Sequence, residues 1–220
     1  LVVEPAPGEV AFLAAYSGLL LGRNDLPYFV PAVYDFLHPS SYFKERDAEI
    51  SALNREVATL EKHEDFRAAR LQLQERTTTA QREIADYQLL MQTEKQKRDE
   101  RRKAGELSAE TEAELVKQSQ YFKGNFSRLK KHHREQIDEA TTAVKKYEEQ
   151  LNRLYEKRRS MSDALQTWIF EQFQMLNVRG ERKNLVEIFK QTAQGVPPAG
   201  AGECALPKLL QYAFTHGWRP

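Results

Sequence analysis

The amino-acid sequence predicts a mainly α-helical protein of mixed α+β class, in which a long antiparallel helical hairpin, a coiled coil, projects from a small α+β body. Charged residues make up 30% of the 220-residue chain, with 33 basic and 32 acidic side chains. Residues 40–176 contain no proline, whereas residues 1–39 hold five of the nine prolines and residues 177–220 hold four. Within the proline-free region, apolar side chains recur every three or four residues, as in a coiled-coil seam.

Composition narrows the possible classes of function. A chain so rich in balanced charge needs a large solvated surface, which long helices provide. The formal net charge of +1 argues against binding a polyanion through bulk charge. A single cysteine, Cys204, excludes an internal disulfide framework. Because no apolar run approaches the roughly 20 residues of a membrane span and no leader opens the chain, we expect a cytoplasmic protein without a membrane partner.

Residues 1–39 are predicted to form the first part of the body. Residues 1–4 and 9–16 are short apolar segments separated by the Pro- and Gly-containing turn at 5–8, and therefore favour two strands. Asn24 is placed to cap a short helical stretch that extends through Phe36 and stops at Pro39.

Residues 40–176 are predicted to form the arm, with its tip near residue 105. The apolar spacing slips around His63, which predicts a kink. Residues 103–108 predict the reversal, with Gly105 in the left-handed conformation and Ser108 as the cap of the return helix. Because a helix rises 1.5 Å per residue, two arms of about 60 residues would be about 90 Å long.

Residues 177–220 are predicted to complete the body. Residues 185–189 favour a short helix or strand, and residues 194–202 favour a Pro-, Gly- and Ala-rich loop with a flexible linker at 200–202. Pro207 suits the first turn of a helix that ends at Gly217. Aromatic side chains on either side of the arm's base are expected to join arm and body: Trp168, Phe170 and Phe173 on one side, and Phe29, Tyr34 and Phe36 on the other.

Basic residues cluster at the tip and in the distal part of the return helix, where Lys123, Arg128 and Arg134 also lie. A basic tip could hold RNA, because each neutralised phosphate releases counterions. Acidic residues nearby, among them Glu106 and Glu112, leave open a merely solvated face. The candidate nucleic-acid-binding residues are Lys95, Lys97, Arg98, Arg101, Arg102, Lys103, Lys130 and Lys131.

Other candidate sites are weaker. His132 and His133 point about 100° apart on a helix and cannot share one face, so we predict no metal site and place His133 in the seam. The chain holds no phosphate-binding or dinucleotide-binding glycine motif, and we predict no cofactor.

Cys204 begins a helix, as in zinc nucleobase deaminases, but Leu206 stands where their catalytic Glu belongs. We therefore expect a small buried cysteine, with a degenerate deaminase-like domain as an alternative.

The sequence Pro-Pro-Ala-Gly-Ala-Gly-Glu-Cys-Ala-Leu-Pro-Lys-Leu-Leu-Gln-Tyr-Ala-Phe at 197–214 resembles a signature of a bacterial subgroup of the RluA family of RNA pseudouridine synthases. In that subgroup an N-terminal region with a long helical insertion precedes the catalytic domain. Further stretches resemble the same subgroup in the same order, namely residues 1–4, 12–18, 26–35 and 177–189.

The resemblance implies an isomerase that converts uridine to pseudouridine in structured RNA, either rRNA or tRNA, without a cofactor. The family's catalytic aspartate lies in a His-Arg-Leu-Asp motif, which does not occur in residues 1–220. We therefore expect a non-catalytic N-terminal fragment that positions RNA and contains no catalytic residue. The alternative function is a coiled-coil module that binds protein, and the seam also permits self-association.

Overall fold

The computed structural model describes residues 1–38, 41–105 and 108–220. The helices Glu64–Lys103 and Ala109–Gln172 pack against each other as an antiparallel pair, which confirms the predicted mainly α-helical fold with a long helical hairpin. Among the described residues, no helix is both long and apolar enough to cross a membrane. The helices are α1 (Tyr42–Glu61), α2 (Glu64–Lys103), α3 (Ala109–Gln172), α4 (Leu185–Phe189) and α5 (Ala205–Thr215), and the strands are β1 (Val2–Val3), β2 (Ala11–Phe12), β3 (Gln174–Leu176) and β4 (Arg182–Asn184).

The chain divides into two compact units. The terminal unit comprises Leu1–Arg55 and Glu156–Pro220, and the central unit comprises Glu56–Tyr155. The sequence placed boundaries after residues 39 and 176. Residue 39 lies outside the described residues, and the observed divisions fall within helices α1 and α3.

The central unit is held together by apolar side chains between its helices. Val57, Phe66, Val144 and Leu151 form one buried cluster. Each large side chain buried in this way stabilises the fold by about 1.5–3 kcal/mol. Where the sequence predicted a kink near His63, the structure has a break between two helices, because α1 ends at Glu61 and α2 begins at Glu64. The His63 side chain caps α2 by accepting a hydrogen bond from the Asp65 backbone N–H at 3.3 Å.

At the far end of the hairpin, the predicted Ser108 cap is present but the predicted left-handed conformation of Gly105 is not. Ser108 caps α3, since its hydroxyl accepts a hydrogen bond from the Thr111 backbone N–H at 3.2 Å. Gly105, in contrast, does not adopt the left-handed conformation. Ala104 ends α2 in a right-handed conformation and still donates its backbone N–H to Glu100. Residues 106 and 107 of the predicted turn lie outside the described residues.

The N-terminal segment of the terminal unit contains less regular structure than predicted. Strands β1 and β2 pair antiparallel, with Val2 opposite Phe12 and Val3 opposite Ala11. The helix predicted between residues 24 and 36 is wrong, and turns occupy this stretch. Tyr28 has a φ of +69°, far from the helical value near −63°, so a helix cannot pass through it.

A β-hairpin that the sequence did not indicate follows α3. Strand β3 pairs antiparallel with β4, with Gln174 opposite Asn184. The Asn177 side chain closes the turn by accepting backbone N–H groups from Arg179 at 2.9 Å and Glu181 at 3.0 Å. Asn184 then forms a capping box with Glu187 and starts α4 at once. Residues 185–189, for which helix or strand was open, are therefore helical.

The core of the terminal unit contains most of the aromatic residues expected there. Phe170 and Phe173 are buried together with Leu185, and Val33, Tyr34 and Phe36 pack against them. The Tyr34 ring meets the rings of Trp168 and Phe173 edge to face, at centroid distances of 6.0 and 6.2 Å. Phe29 differs from the prediction, because its ring packs against Tyr16 at 5.1 Å.

Buried Lys208 joins the N-terminal segment to α5. Its ammonium group donates hydrogen bonds to the backbone carbonyls of Tyr16 at 3.1 Å and Gly18 at 3.2 Å. Burial lowers the pKa of Lys208, and the nearby Glu203 carboxylate opposes that shift. The Ser17 hydroxyl also accepts a hydrogen bond from the Ala205 backbone N–H at 3.0 Å. Segments from the two ends of the chain thus form one unit.

Gly202 offers a test of this packing. Its φ is +89°, and an added Cβ would lie 2.6 Å from Cδ1 of Phe173. We expect Gly202→Ala to lower the free energy of unfolding by about 2–5 kcal/mol, of which about 1–2 comes from the left-handed backbone and about 1–3 from crowding. Gly200→Ala is the matched control, because its φ is +76° but no atom lies within 4 Å of the added Cβ. Urea unfolding followed by tryptophan fluorescence reports on this unit through Trp168 and Trp218, and equal losses in the two variants would contradict the packing.

Candidate nucleic-acid interface

Two of the candidate cations at the end of the hairpin, Arg102 and Lys97, form ion pairs with carboxylates. Arg102 binds Glu112 across the two helices, with Nη2 2.7 Å from Oε1 and Nε 3.1 Å from Oε2. Lys97 Nζ lies 2.8 Å from Oε1 of Glu94. The hydrogen bonds from Arg102 and Lys97 lower the pKa values of Glu112 and Glu94, which therefore stay ionised and keep these cations paired. Such exposed pairs contribute little to stability, but they reduce the local positive charge.

Arg98 was predicted to bind nucleic acid, but its side chain is buried. Only 6% of this residue is exposed. Its guanidinium carbon lies 5.7 Å from the centre of the Phe122 ring, and Nη1 has no hydrogen-bond partner among the described residues. The long side chain has folded over a seam aromatic instead of extending into water, so Arg98 presents no surface to a phosphate. Lys95, Arg101 and Lys103 are exposed as predicted.

The return helix carries the most concentrated positive charge. Residues 115–134 of α3 contain no Asp or Glu but six Lys or Arg residues. The segment of α2 that faces this stretch, residues 80–99, holds four acidic and four basic residues. We call residues 115–134 the basic stretch. Its cations are all exposed, and they are Lys117, Lys123, Arg128, Lys130, Lys131 and Arg134.

A groove runs along one side of the basic stretch. It has a volume of about 600 Å³, with Ala80, Ile84 and Ile137 among its apolar lining residues. Its polar lining consists of Ser127, Lys130, Lys131, His133 and Arg134. A concave surface that carries several cations and a hydroxyl group suits an extended phosphate backbone.

Side chains from the seam support the groove. His133 is 5% exposed, as expected of a seam residue, and its Nε2 lies 3.0 Å from Oε2 of Glu83. Lys130 Nζ lies 4.7 Å from the centre of the Phe126 ring, and that ring stacks on Tyr87 at 5.8 Å. The Lys130 ammonium group is thereby held against the helix surface by a cation–π contact, and the residue as a whole remains exposed.

The sequence predicted only some of the cations of the basic stretch as candidate nucleic-acid-binding residues. Lys130 and Lys131 belonged to the predicted set, and Lys123, Arg128 and Arg134 were seen as neighbours. A search for dense runs of cations misses Lys117, because what distinguishes this stretch is the absence of acidic residues. A scan for the longest acid-free helical segment would have found the whole basic stretch.

The region around Cys204 does not form a comparable site. Cys204 is exposed, so the predicted burial is wrong. A cavity of about 160 Å³ nearby is lined by Glu203, Gln166, Gly200, Ala201 and apolar side chains of the core, and Cys204 is not among its lining residues. Burial raises the pKa of Glu203, with Lys208 acting in the opposite direction.

Gly202 is buried against Phe173, so the end of the 194–202 segment is a packed turn and not a flexible linker. In the described ranges, no group of three or more His, Cys, Asp or Glu residues could hold a metal ion.

Some apolar side chains on the helices of the central unit are exposed. Tyr121 is 64% exposed, Leu89 64% and Leu90 44%. Tyr155 is 37% exposed, and its hydroxyl donates a hydrogen bond to Glu61 at 2.5 Å. Tyr121 differs from the other three because it lies within the basic stretch.

Comparison of the chain with protein-family models, with curated proteins and with solved structures finds no match.

Arg98 provides a test that separates structural from functional cations. We expect Arg98→Met to leave the free energy of unfolding unchanged or to raise it by about 1 kcal/mol, because Met fills similar space without a buried guanidinium that lacks a partner. Arg98→Ala should lower it by about 1–3 kcal/mol through lost packing on Phe122. Urea unfolding followed by circular dichroism at 222 nm measures both, and Arg101→Met is the exposed control. A larger loss for Arg98→Met than for Arg98→Ala would show that the guanidinium itself stabilises the hairpin.

Proposed function

We propose that this chain is the N-terminal, RNA-positioning region of an RNA pseudouridine synthase of the RluA family, and that the basic stretch of α3 binds structured RNA. The observation that carries the proposal is a run of six exposed cations along one helix without an acidic residue between them. The protein would act in the cytoplasm on rRNA or tRNA and would need no cofactor.

The charge pattern favours RNA because folded RNA is recognised largely through its shape and its phosphate backbone. A helix that presents cations on its outer side and in an adjoining groove can contact phosphates at several positions. Each contact releases counterions, and this entropy gain drives sequence-independent binding. The net charge of +1 does not oppose such binding, because the acidic residues are placed elsewhere in the chain.

The pseudouridine synthase assignment draws its support from the segments that resemble that family. Residues 12–18 and 197–214 are distant in the sequence, yet hydrogen bonds join them. Lys208 donates to the carbonyls of Tyr16 and Gly18, and the Ala205 N–H donates to the Ser17 hydroxyl. A shared signature is expected to lie in segments that fold against one another. Isomerisation requires the target base to leave its stack, the glycosidic bond to break and uracil to rejoin through C5. This region would contribute placement of the RNA, while the aspartate-containing domain would perform the chemistry.

The salt dependence of RNA binding tests the role of the basic stretch. We expect the five-fold variant Lys123→Gln, Arg128→Gln, Lys130→Gln, Lys131→Gln, Arg134→Gln to bind structured RNA more weakly and to flatten the plot of log affinity against log salt. The magnitude of the slope should fall by about 3.5–4.5, because each of the five phosphate contacts contributes about 0.7–0.9. Fluorescence anisotropy with a labelled stem-loop RNA between 50 and 300 mM KCl, roughly the range over which such contacts are lost, measures both quantities.

The control variant removes the same charge from exposed positions of the central unit outside the basic stretch, and its slope should change by less than about 1 in total. It carries Gln at Arg67, Arg82, Lys145, Lys146 and Arg153. Equal slopes for the two variants would mean that RNA binding depends only on the net charge of the chain and not on the basic stretch. Binding that ignores salt and both variants would contradict the proposal and favour a protein-binding coiled coil.

The isomerase assignment is tested with the complete gene product. Pseudouridine formation exchanges the C5 hydrogen of uridine, so RNA labelled with tritium at C5 should release tritium to water. Under single-turnover conditions the five-fold Gln variant should require a higher enzyme concentration for half-maximal rate, whereas the maximal rate should change little. Absence of tritium release from rRNA and tRNA substrates would refute the assignment.

A further inference from the structure

Tyr121 lies on the side of α3 that is turned away from α2. At 100° per residue, the cations Lys117, Arg128 and Lys131 fall within about 80° of Tyr121, and so does Gly124. All of these positions are exposed. We call this set, Lys117, Tyr121, Gly124, Arg128 and Lys131, the outer face.

The Tyr121 ring is both exposed and anchored. Its exposed fraction is 64%. It packs edge to face on the Phe122 ring, with a centroid distance of 5.9 Å and an interplanar angle of 74°. Phe122 in turn lies in the seam under Arg98 and near Tyr87. A tyrosine held in this way loses little freedom on binding, because its orientation is already restricted.

Gly124 leaves open space on the helix surface next to position 121. Residues three apart on a helix are neighbours on its surface, so position 124 adjoins position 121. Gly is a poor helix former, and neither the backbone conformation nor the packing at position 124 requires one. Its φ is not positive, and no atom lies within 4 Å of where a Cβ would be. The missing side chain leaves open surface on the helix, one turn C-terminal to the exposed Tyr121.

Cations border this open surface on both sides along the helix. Lys117 precedes Tyr121 by one turn, and Arg128 follows Gly124 by one turn, so each lies about 5–6 Å from its neighbour. Arg128 is oriented by a hydrogen bond to the Asn125 side chain. Lys131 follows at the end of the face, 3.8 Å from Glu135. An aromatic ring between cations is the arrangement by which proteins hold a nucleotide, with the base stacked and its flanking phosphates neutralised.

We infer that the outer face is a stacking site for an unpaired RNA nucleotide, with its base on the Tyr121 ring above Gly124 and its flanking phosphates at Lys117 and Arg128. The inference rests on the proposed function and deepens it. It specifies that the preferred RNA has a single-stranded loop or bulge beside its helix, because bases within a duplex are stacked on one another and cannot reach a side chain.

The experiment uses two RNA probes of equal length with the 220-residue chain. One is a stem-loop with 2-aminopurine at an unpaired loop position, and the other is a fully paired duplex with 2-aminopurine opposite uracil. Stacking on an aromatic ring quenches 2-aminopurine fluorescence, so this signal reports base stacking separately from phosphate contact. Stacking tolerates any base, so a generic loop sequence is a suitable probe.

We expect the stem-loop to bind more tightly than the duplex and its fluorescence to be quenched. Tyr121→Leu should weaken stem-loop binding by about 5- to 150-fold, the loss typical of one stacked base, and should leave duplex binding unchanged. Tyr121→Phe should retain both the affinity and the quenching, because it keeps the ring. Gly124→Leu should weaken stem-loop binding by covering the open surface, although it removes no charge.

The substitutions at Tyr121 and Gly124 are expected to leave the fold intact. Tyr121 is largely exposed, and Leu is a better helix former than Gly at a position without close neighbours. Circular dichroism at 222 nm checks each variant before binding is measured.

The outcomes separate this inference from the proposed function. Salt-dependent binding of both RNAs with equal affinity in wild type and Tyr121→Leu would overturn the stacking site while leaving RNA binding intact. Salt-independent or absent binding of both RNAs would overturn both. Sedimentation of wild type as a dimer and of Tyr121→Leu as a monomer would also overturn the inference, since a second copy of the chain would then cover Tyr121.

Discussion

Burial of seam side chains between the helices of the central unit is the interaction on which the other features depend. The Val57, Phe66, Val144 and Leu151 cluster supplies much of the apolar contact, because isolated long helices gain little stability from propensity alone. The seam also fixes the pairing of α2 with α3, seen where Tyr87 stacks on Phe126 and where His133 meets Glu83. Once this pairing is set, every remaining position is assigned to a flank or to an outer surface. The location of each charge follows from it.

The assignment of charges explains how a nearly neutral chain can present a strongly basic surface. At the end of the hairpin, the pairing brings Arg102 of α2 beside Glu112 of α3, and local spacing brings Lys97 beside Glu94. Opposite charges there neutralise one another. The basic stretch of α3 itself contains no acidic residue, and Glu83 from α2 is engaged with His133. Net charge is therefore a poor guide to the binding potential of a long helix.

Long-range periodicity and local stop signals made much of the fold predictable from sequence. Proline distribution and apolar spacing indicated the helical hairpin, the phase slip at His63 marked an interruption of the helix, and Ser108 marked a helix start. The wrong predictions concern residues whose burial or backbone conformation is determined by tertiary contacts. The burial of Arg98 depends on which aromatic of α3 it faces, and the exposure of Cys204 depends on how α5 sits on the N-terminal segment. Single-residue patterns do not encode either contact, and the positive φ of Tyr28 is likewise imposed by its surroundings.

The reach of a side chain explains why the length of the acid-free segment matters. On a helix, ion pairs form between residues three or four positions apart. The last acidic residue before the basic stretch, Glu114, can therefore reach no further than Gln118, and the first one after it, Glu135, no further back than Lys131. Three cations of the basic stretch lie between these limits, Lys123, Arg128 and Lys130, and they have no carboxylate partner within their own helix, whatever rotamers they adopt. A dispersed arrangement of the same six cations among acidic residues would leave the composition unchanged and would lose the interface. The positions of the acidic residues thus define the proposed RNA-binding surface as much as the positions of the basic ones do.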